Sequence, residues 1–183
     1  MKKSTMSLRG MIYASLFGAG TAAGAYIIIP LPPVPITLQT LFAGLAGALL
    51  GARLGALSQV IYLLIGIIGL PVFAGGKAGL GVLFGPTGGY LIGFVAGAWV
   101  IGALMNLKKA PGFGWTTAAL VAGTAVIYIF GVAQLSLVAK ISVNKAISVG
   151  VLPFLIGDVV KILAAAYVVK RVRPRFKIQG TVV

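Results

Sequence analysis

No charged side chain interrupts Met11–Ile29, and the pattern recurs along the chain in Thr37–Ala52, Leu54–Leu70, Tyr90–Asn106, Thr116–Val138 and Val151–Val169. Only the last of these stretches carries charge, as Asp158 and Lys161. A bilayer core of roughly 30 Å takes about 20 helical residues, so the longer stretches can span it and the shorter ones rely on tilt or flanking residues. Turn-forming segments separate them: PLPPVP at Pro30–Pro35, Arg53, a glycine-rich run, LKKAPGFGW at Leu107–Trp115 and AKISVNKAISVG. Charged residues make up 9% of the chain, whereas soluble domains hold about 25%. This composition cannot provide a polar surface. It predicts an all-α integral membrane protein with six transmembrane helices, one membrane domain over residues 1–183.

The cations set an orientation. With six crossings both termini share one side, which receives Lys2, Lys3, Arg9, Arg53, Lys108, Lys109, Lys170, Arg171, Arg173, Arg175 and Lys177, while Lys77, Lys140 and Lys145 fall on the other. By the positive-inside rule both termini are cytoplasmic. The apolar part of Met11–Ile29 is too long for a signal-peptide core, and the stretch reads as a retained first helix. A net charge of +14 does not indicate nucleic acid, because the cations are scattered or gathered at span ends without interleaved aromatics. With no Cys and no His, thiolate and imidazole metal sites are excluded, as are disulfides.

Asp158 is the chain's one acidic side chain. An ionised group in mid-membrane costs about 2.5–3.5 kcal/mol on insertion scales, and such residues by default mark functional sites. Lys161, three residues on, shares its helical face. Pro153 suits a first turn at the outer end of this helix, which puts Asp158 roughly 7–8 Å deeper, at 1.5 Å per residue. At that depth the pair would floor a cavity roofed by GLPVFAGGKAGLGVLFGPTGGYL, Gly69–Leu91. That run is too rich in Gly and Pro for one continuous helix. Non-helical backbone at membrane depth is tolerated where it is buried or lines a polar cavity. GGKAG in this run fails as a phosphate loop, since Pro71 stands where its first glycine belongs and Ala78 follows Lys77. On the first helix, Ala14, Gly18 and Ala22 recur every four residues, as do Ser15, Ala19 and Ala23. Such ridges let a backbone come close, either a neighbouring helix or a separate membrane subunit.

PLPPVPITLQTL (Pro30–Leu41), the glycine-rich run and LPFLIGDVVKI (Leu152–Ile162), in this order over six short spans, resemble the BioY family, the biotin-specific S components of energy-coupling-factor (ECF) vitamin transporters. The resemblance covers essentially the whole chain and implies the six-helix S-component fold. It also implies biotin as transported ligand, no cofactor, and a partner module of a membrane T subunit and two cytosolic ABC-type ATPases in a prokaryotic cell membrane. The chain itself would be no enzyme. The ridge Ala14, Gly18, Ala22 resembles the Ala-x-x-x-Ala element by which S components dock to the T subunit, with Gly18 in place of the second alanine. Biotin's ureido ring has two N–H donors and one carbonyl; Asp158 suits the former and Lys161 the latter. Lys77 or the N–H groups of Gly75 and Gly76 are candidates for the valerate carboxylate, and Phe73 and Tyr90 for walls around the apolar part. Gln39 and Thr37 are further polar candidates, and Gly85, Thr87 and Gly88 complete the external-loop set.

Four other readings compete. An S component for another vitamin would be separated by a competition panel, and a solitary biotin facilitator by uptake in a host without an ATPase module. An intramembrane enzyme would have one carboxylate and no His, Cys or second acid for general acid–base work. A purely structural subunit would tolerate Asp158→Asn with unchanged ligand behaviour.

Overall fold

The computed structural model describes residues 7–173. Lys2, Lys3, Arg175 and Lys177 of the orientation argument, and the KIQGTVV tail, lie outside the described residues. Helix α1 (Leu8–Gly24) starts where the Ser7 hydroxyl accepts from the Gly10 N–H at 3.1 Å. It stops five residues short of the expected Ile29. Ile28–Ile29 instead forms strand β1, paired antiparallel with β2 (Ile36–Thr37), Ile28 opposite Thr37. The physical reason is Pro30, which disfavours helical geometry at Ile29 and drives it extended. The proline cluster is thus the tip of a small hairpin.

Helix α2 (Gln39–Ile67) contains a reversal. Gly51 sits at φ 80°, ψ 179°, a conformation a side chain would strain. The arm 39–50 runs one way and the arm 52–67 runs back beside it. Gln39 Nε2 donates to the Tyr62 hydroxyl, and a Cβ on Gly55 would lie 2.8 Å from the Gly47 Cα. Both pairs are centred within one residue of Gly51. Next come α3 (Leu80–Leu83), α4 (Gly88–Asn106), α5 (Phe113–Ala139), α6 (Val143–Gly150) and α7 (Leu155–Val172). A single 3-10 turn at Leu152–Phe154 leads into α7, with Pro153 inside it. Helix α6 occupies the stretch read from sequence as a connection, and Ser142 caps it by accepting from the Lys145 N–H at 3.3 Å.

Among the described residues, Gln39–Ile67, Gly88–Asn106, Phe113–Ala139 and Val143–Val172 are long and apolar enough to cross a bilayer. The molecule is therefore a helical membrane protein. Helix α2 packs between α1 and α4, α4 packs on α5, and α7 touches α2 and α5. The core has two parts. Tyr62, Phe73, Tyr90, Phe94 and Phe154 gather at the end that carries the hairpin, and Ile101, Met105, Leu120 and Val169 gather toward the other. At that second end Arg173 donates to the Met105 carbonyl at 3.2 Å, and the Lys108 ammonium lies 4.2 Å from the Trp115 ring centre.

On the ridge Ala14, Gly18, Ala22 the first two residues are buried and Ala22 is half-buried. Gly18 packs on α2, where a Cβ would lie 2.8 Å from the Ser58 carbonyl oxygen. Internal packing holds this ridge. The alternative ridge, Ser15, Ala19 and Ala23, is exposed along its whole length.

Candidate functional site

The first turns of α7 carry the lone acid. Asp158 is 5% exposed and Lys161 8% exposed, so both have left solvent, and burial of this kind requires partners. Lys161 Nζ lies 2.5 Å from Asp158 Oδ1. It also donates to the Thr37 carbonyl at 3.1 Å and to Thr40 Oγ1 at 2.9 Å. Of the three N–H groups of the ammonium, two are given to these hydrogen bonds, and the charge is paired with Asp158. Tyr128 of α5 donates its hydroxyl to Asp158 Oδ2. Oδ1 has its ion pair but accepts no aligned hydrogen bond. It is a buried carboxylate oxygen with room to accept a further donor beside its cation.

Asp158, Lys161, Tyr128, Thr124 and Thr40 form the floor of a cavity. Val34, Pro35 and Thr37 of the hairpin and Phe73, Ala74 and Lys77 of the glycine-rich run lie over it. The sides are Val82, Thr87, Tyr90, Leu91, Phe94, Ile127 and Phe154. Aromatic and aliphatic walls around a few convergent polar groups are the usual make-up of a small-molecule site.

The roof is built rather than loose. The Phe73 N–H donates to the Lys77 carbonyl at 2.9 Å, and the Gly76 N–H to the Phe73 carbonyl at 3.0 Å. The turn between them needs φ of 72° at Gly75 and 73° at Gly76, which only glycine adopts without cost. Phe73 is 1% exposed; its ring fits over Gly66, where a Cβ would lie 2.2 Å from Phe73 Cζ, and meets Tyr62 edge-on at 5.6 Å. Tyr62 in turn accepts from Gln39 Nε2, whose Oε1 accepts from Thr37 Oγ1 at 2.9 Å. Tyr26 donates to the Pro71 carbonyl. Hairpin and glycine-rich run are stitched together.

The structure thus brings Gln39, Phe73, Lys77, Thr87, Tyr90, Asp158 and Lys161, with Thr37, to one cavity. It does not bring Gly75, Gly76, Gly85 or Gly88 into the lining. The Gly76 N–H is already given to Phe73, so it is not available to a carboxylate. Gly85 spends its carbonyl on Gln134 Nε2 at 2.8 Å. Gly88 is a packing position, where a Cβ would lie 1.7 Å from the Leu83 carbonyl oxygen. Tyr90 contributes its ring, since its hydroxyl donates to the Gly150 carbonyl at 2.8 Å. Lys77 is exposed at the mouth. Sequence reasoning missed Tyr128, Thr40 and Thr124. Thr124 and Tyr128 are four residues apart and so share one face of α5, which is the signal that could have found them.

A buried carboxylate, a charged partner and apolar walls, set near one end of a helical membrane protein, have the make-up of a site for a small polar-headed ligand. Comparison with known proteins gives the family. The BioY family model matches residues 1–178, and the chain belongs to the BioY family. It is 46% identical over 166 residues to the biotin transporter BioY of Thermotoga maritima, covering 91% of this chain and 96% of that protein. It is 39% identical over 171 residues to the biotin transporter BioY of Rhizobium etli, covering 88% and 91%. A crystal structure of the S-component for biotin from an ECF-type ABC transporter superposes with a TM-score of 0.86 at 26% identity, covering 94% of this chain and 96% of that one.

Proposed function

We propose that this protein is the biotin-binding S component of an ECF transporter, capturing biotin at the outer face of a prokaryotic cell membrane for inward delivery. The observation that carries the reading is Asp158: one buried carboxylate, lining the cavity and ion-paired with Lys161, with an Oδ1 that accepts no aligned hydrogen bond among the described residues. A ureido N–H supplies that bond. The ureido carbonyl takes over a Lys161 N–H, most readily the one now given to the Thr37 carbonyl at 3.1 Å, the longest of its three contacts. Binding thereby exchanges a hairpin tie for a ligand tie. Lys77, with its exposed ammonium at the mouth, meets the carboxylate tail, while Phe73, Tyr90 and Phe94 enclose the apolar part. No cofactor and no catalysis by this chain enter the scheme.

In this reading the chain crosses the membrane six times, through α1, the two arms of α2, α4, α5 and α7, with both termini cytoplasmic. The grouping of Arg9, Arg53, Lys108, Lys109, Lys170, Arg171 and Arg173 at the end opposite the cavity supports that orientation. A membrane T subunit and two cytosolic ATPases drive release. The exposed ridge Ser15, Ala19 and Ala23, rather than its buried neighbour, is the α1 face left for the T subunit. The test is displacement of labelled biotin from the purified protein by a panel of vitamins. Displacement by biotin alone supports the reading; displacement by another vitamin at lower concentration overturns it.

A further inference from the structure

Tyr128 stands in a transmembrane stretch where a tyrosine would ordinarily be an interface anchor or a packing residue. Its successors Ile129 and Phe130 are exposed on the outside of α5, while Tyr128 itself lines the cavity with its hydroxyl on Asp158 Oδ2. The end of an aspartate side chain turns easily about its last torsion, which has a broad, roughly two-fold profile. Lys161 alone, on Oδ1, would leave the carboxylate free to swing about that contact and offer either oxygen. Tyr128 on Oδ2 and Lys161 on Oδ1 hold it from both sides.

We infer that Tyr128 is a specificity-determining positioning residue: by fixing the rotation of the Asp158 carboxylate it presents one acceptor in one direction, so that the site distinguishes between the two N–H groups of a cyclic urea. This rests on the biotin reading. Tyr128 does not need to touch the ligand. It makes Oδ1 the acceptor and keeps it beside the Lys161 ammonium, so that donor and acceptor of one ureido edge, N–H and C=O, are met side by side. The other N–H has no such pair.

The experiment measures equilibrium binding of biotin and of its two ureido N-methyl isomers to the full-length protein in detergent, for wild type and Tyr128→Phe. In wild type, methylation of the N–H that meets Asp158 is expected to weaken binding at least tenfold more than methylation of the other. In Tyr128→Phe, biotin binds about tenfold more weakly and the ratio between the isomers falls toward one. A loss of affinity equal for all three ligands, or an unchanged ratio, overturns the proposal, because a role in packing alone would scale every affinity together. If Tyr128→Phe fails to fold, Tyr128→3-fluorotyrosine keeps the shape and makes the hydroxyl a better donor. The ratio should then widen, and a constant ratio overturns the proposal. Failure of wild type to bind biotin at all sinks the underlying reading instead, a separate and recognisable outcome.

Discussion

Two of the polar clusters buried in this membrane protein are put together differently. Between α1 and α2, Gln59 Nε2 donates to Thr21 Oγ1 at 3.2 Å and to Ser58 Oγ at 3.0 Å. Thr21 donates on to the Phe17 carbonyl at 3.0 Å, and Ser58 to the Gly55 carbonyl at 2.7 Å. All three side chains have 0% exposure, none lines the cavity, and every donor has an acceptor inside the chain. This cluster is closed. The second, Tyr128–Asp158–Lys161–Thr40, has Asp158 and Lys161 buried but Tyr128 and Thr40 only half-buried; it lines the cavity and keeps one carboxylate oxygen that accepts no aligned hydrogen bond. Interhelical polar contacts in membranes typically contribute about 1–2 kcal/mol or less, so a closed cluster suffices for gluing helices. A charged cluster costs more to bury and is worth keeping only where it has a further task.

The largest expected effect comes from breaking the open cluster. Lys161→Met leaves Asp158 buried without its cation, and loss of one partner of a buried pair costs about 3–5 kcal/mol. A thermal-unfolding series in detergent should show a large drop in stability with loss of biotin binding. A variant as stable as wild type would show that the pair carries little.

Next is Gly66→Ala. Its Cβ would collide with the Phe73 ring at 2.2 Å, and overpacking of this kind costs about 1–3 kcal/mol. Because Phe73 anchors the roof, biotin should dissociate faster while the floor is untouched. Stopped-flow dissociation rates check this, and an unchanged off-rate would show that Phe73 does not hold the roof.

The closed cluster should behave in the opposite way. Gln59→Leu removes its hub and is expected to cost about 1–2 kcal/mol of stability with biotin affinity unchanged within about twofold. If affinity falls as far as for a floor variant, the contrast between the clusters is wrong. The smallest effect on binding belongs to Ala19→Leu on the exposed ridge of α1. Affinity in detergent should stay the same, while uptake by cells that hold the whole transporter drops. Normal uptake would leave that ridge without a role.

Much of this was legible before any coordinates. The charge-free runs foretell spanning helices because every backbone polar group in lipid must be satisfied within a helix. One acid beside one lysine in such a run announces itself. The rest depended on which faces meet. Two equally spaced small-residue ridges on α1 look alike in sequence, and only packing decides that Ala14 and Gly18 are buried while Ala19 and Ala23 are not. Tyr128 lies 30 residues before its partner Asp158, and nothing local marks it as that acid's donor. The glycines of the roof were readable as turn-formers but not as bystanders to the cavity. Gly75 and Gly76 serve a turn, and Gly88 serves the approach of α4 to the preceding loop. Tyr26–Ile29 read as helix because the run is apolar, although Pro30 already argued for an extended end.

The central claim is that Asp158 is kept for a ligand and not for packing. Equilibrium binding of labelled biotin to the full-length protein in detergent, wild type beside Asp158→Asn, tests it most directly. The account predicts tight binding by wild type and a loss of at least about a hundredfold in the variant, the effect of removing a charged hydrogen-bond partner from a desolvated site. Equal binding by both proteins would contradict it, and would place the Asp158–Lys161 pair with Thr21, Ser58 and Gln59 as one more piece of helix packing.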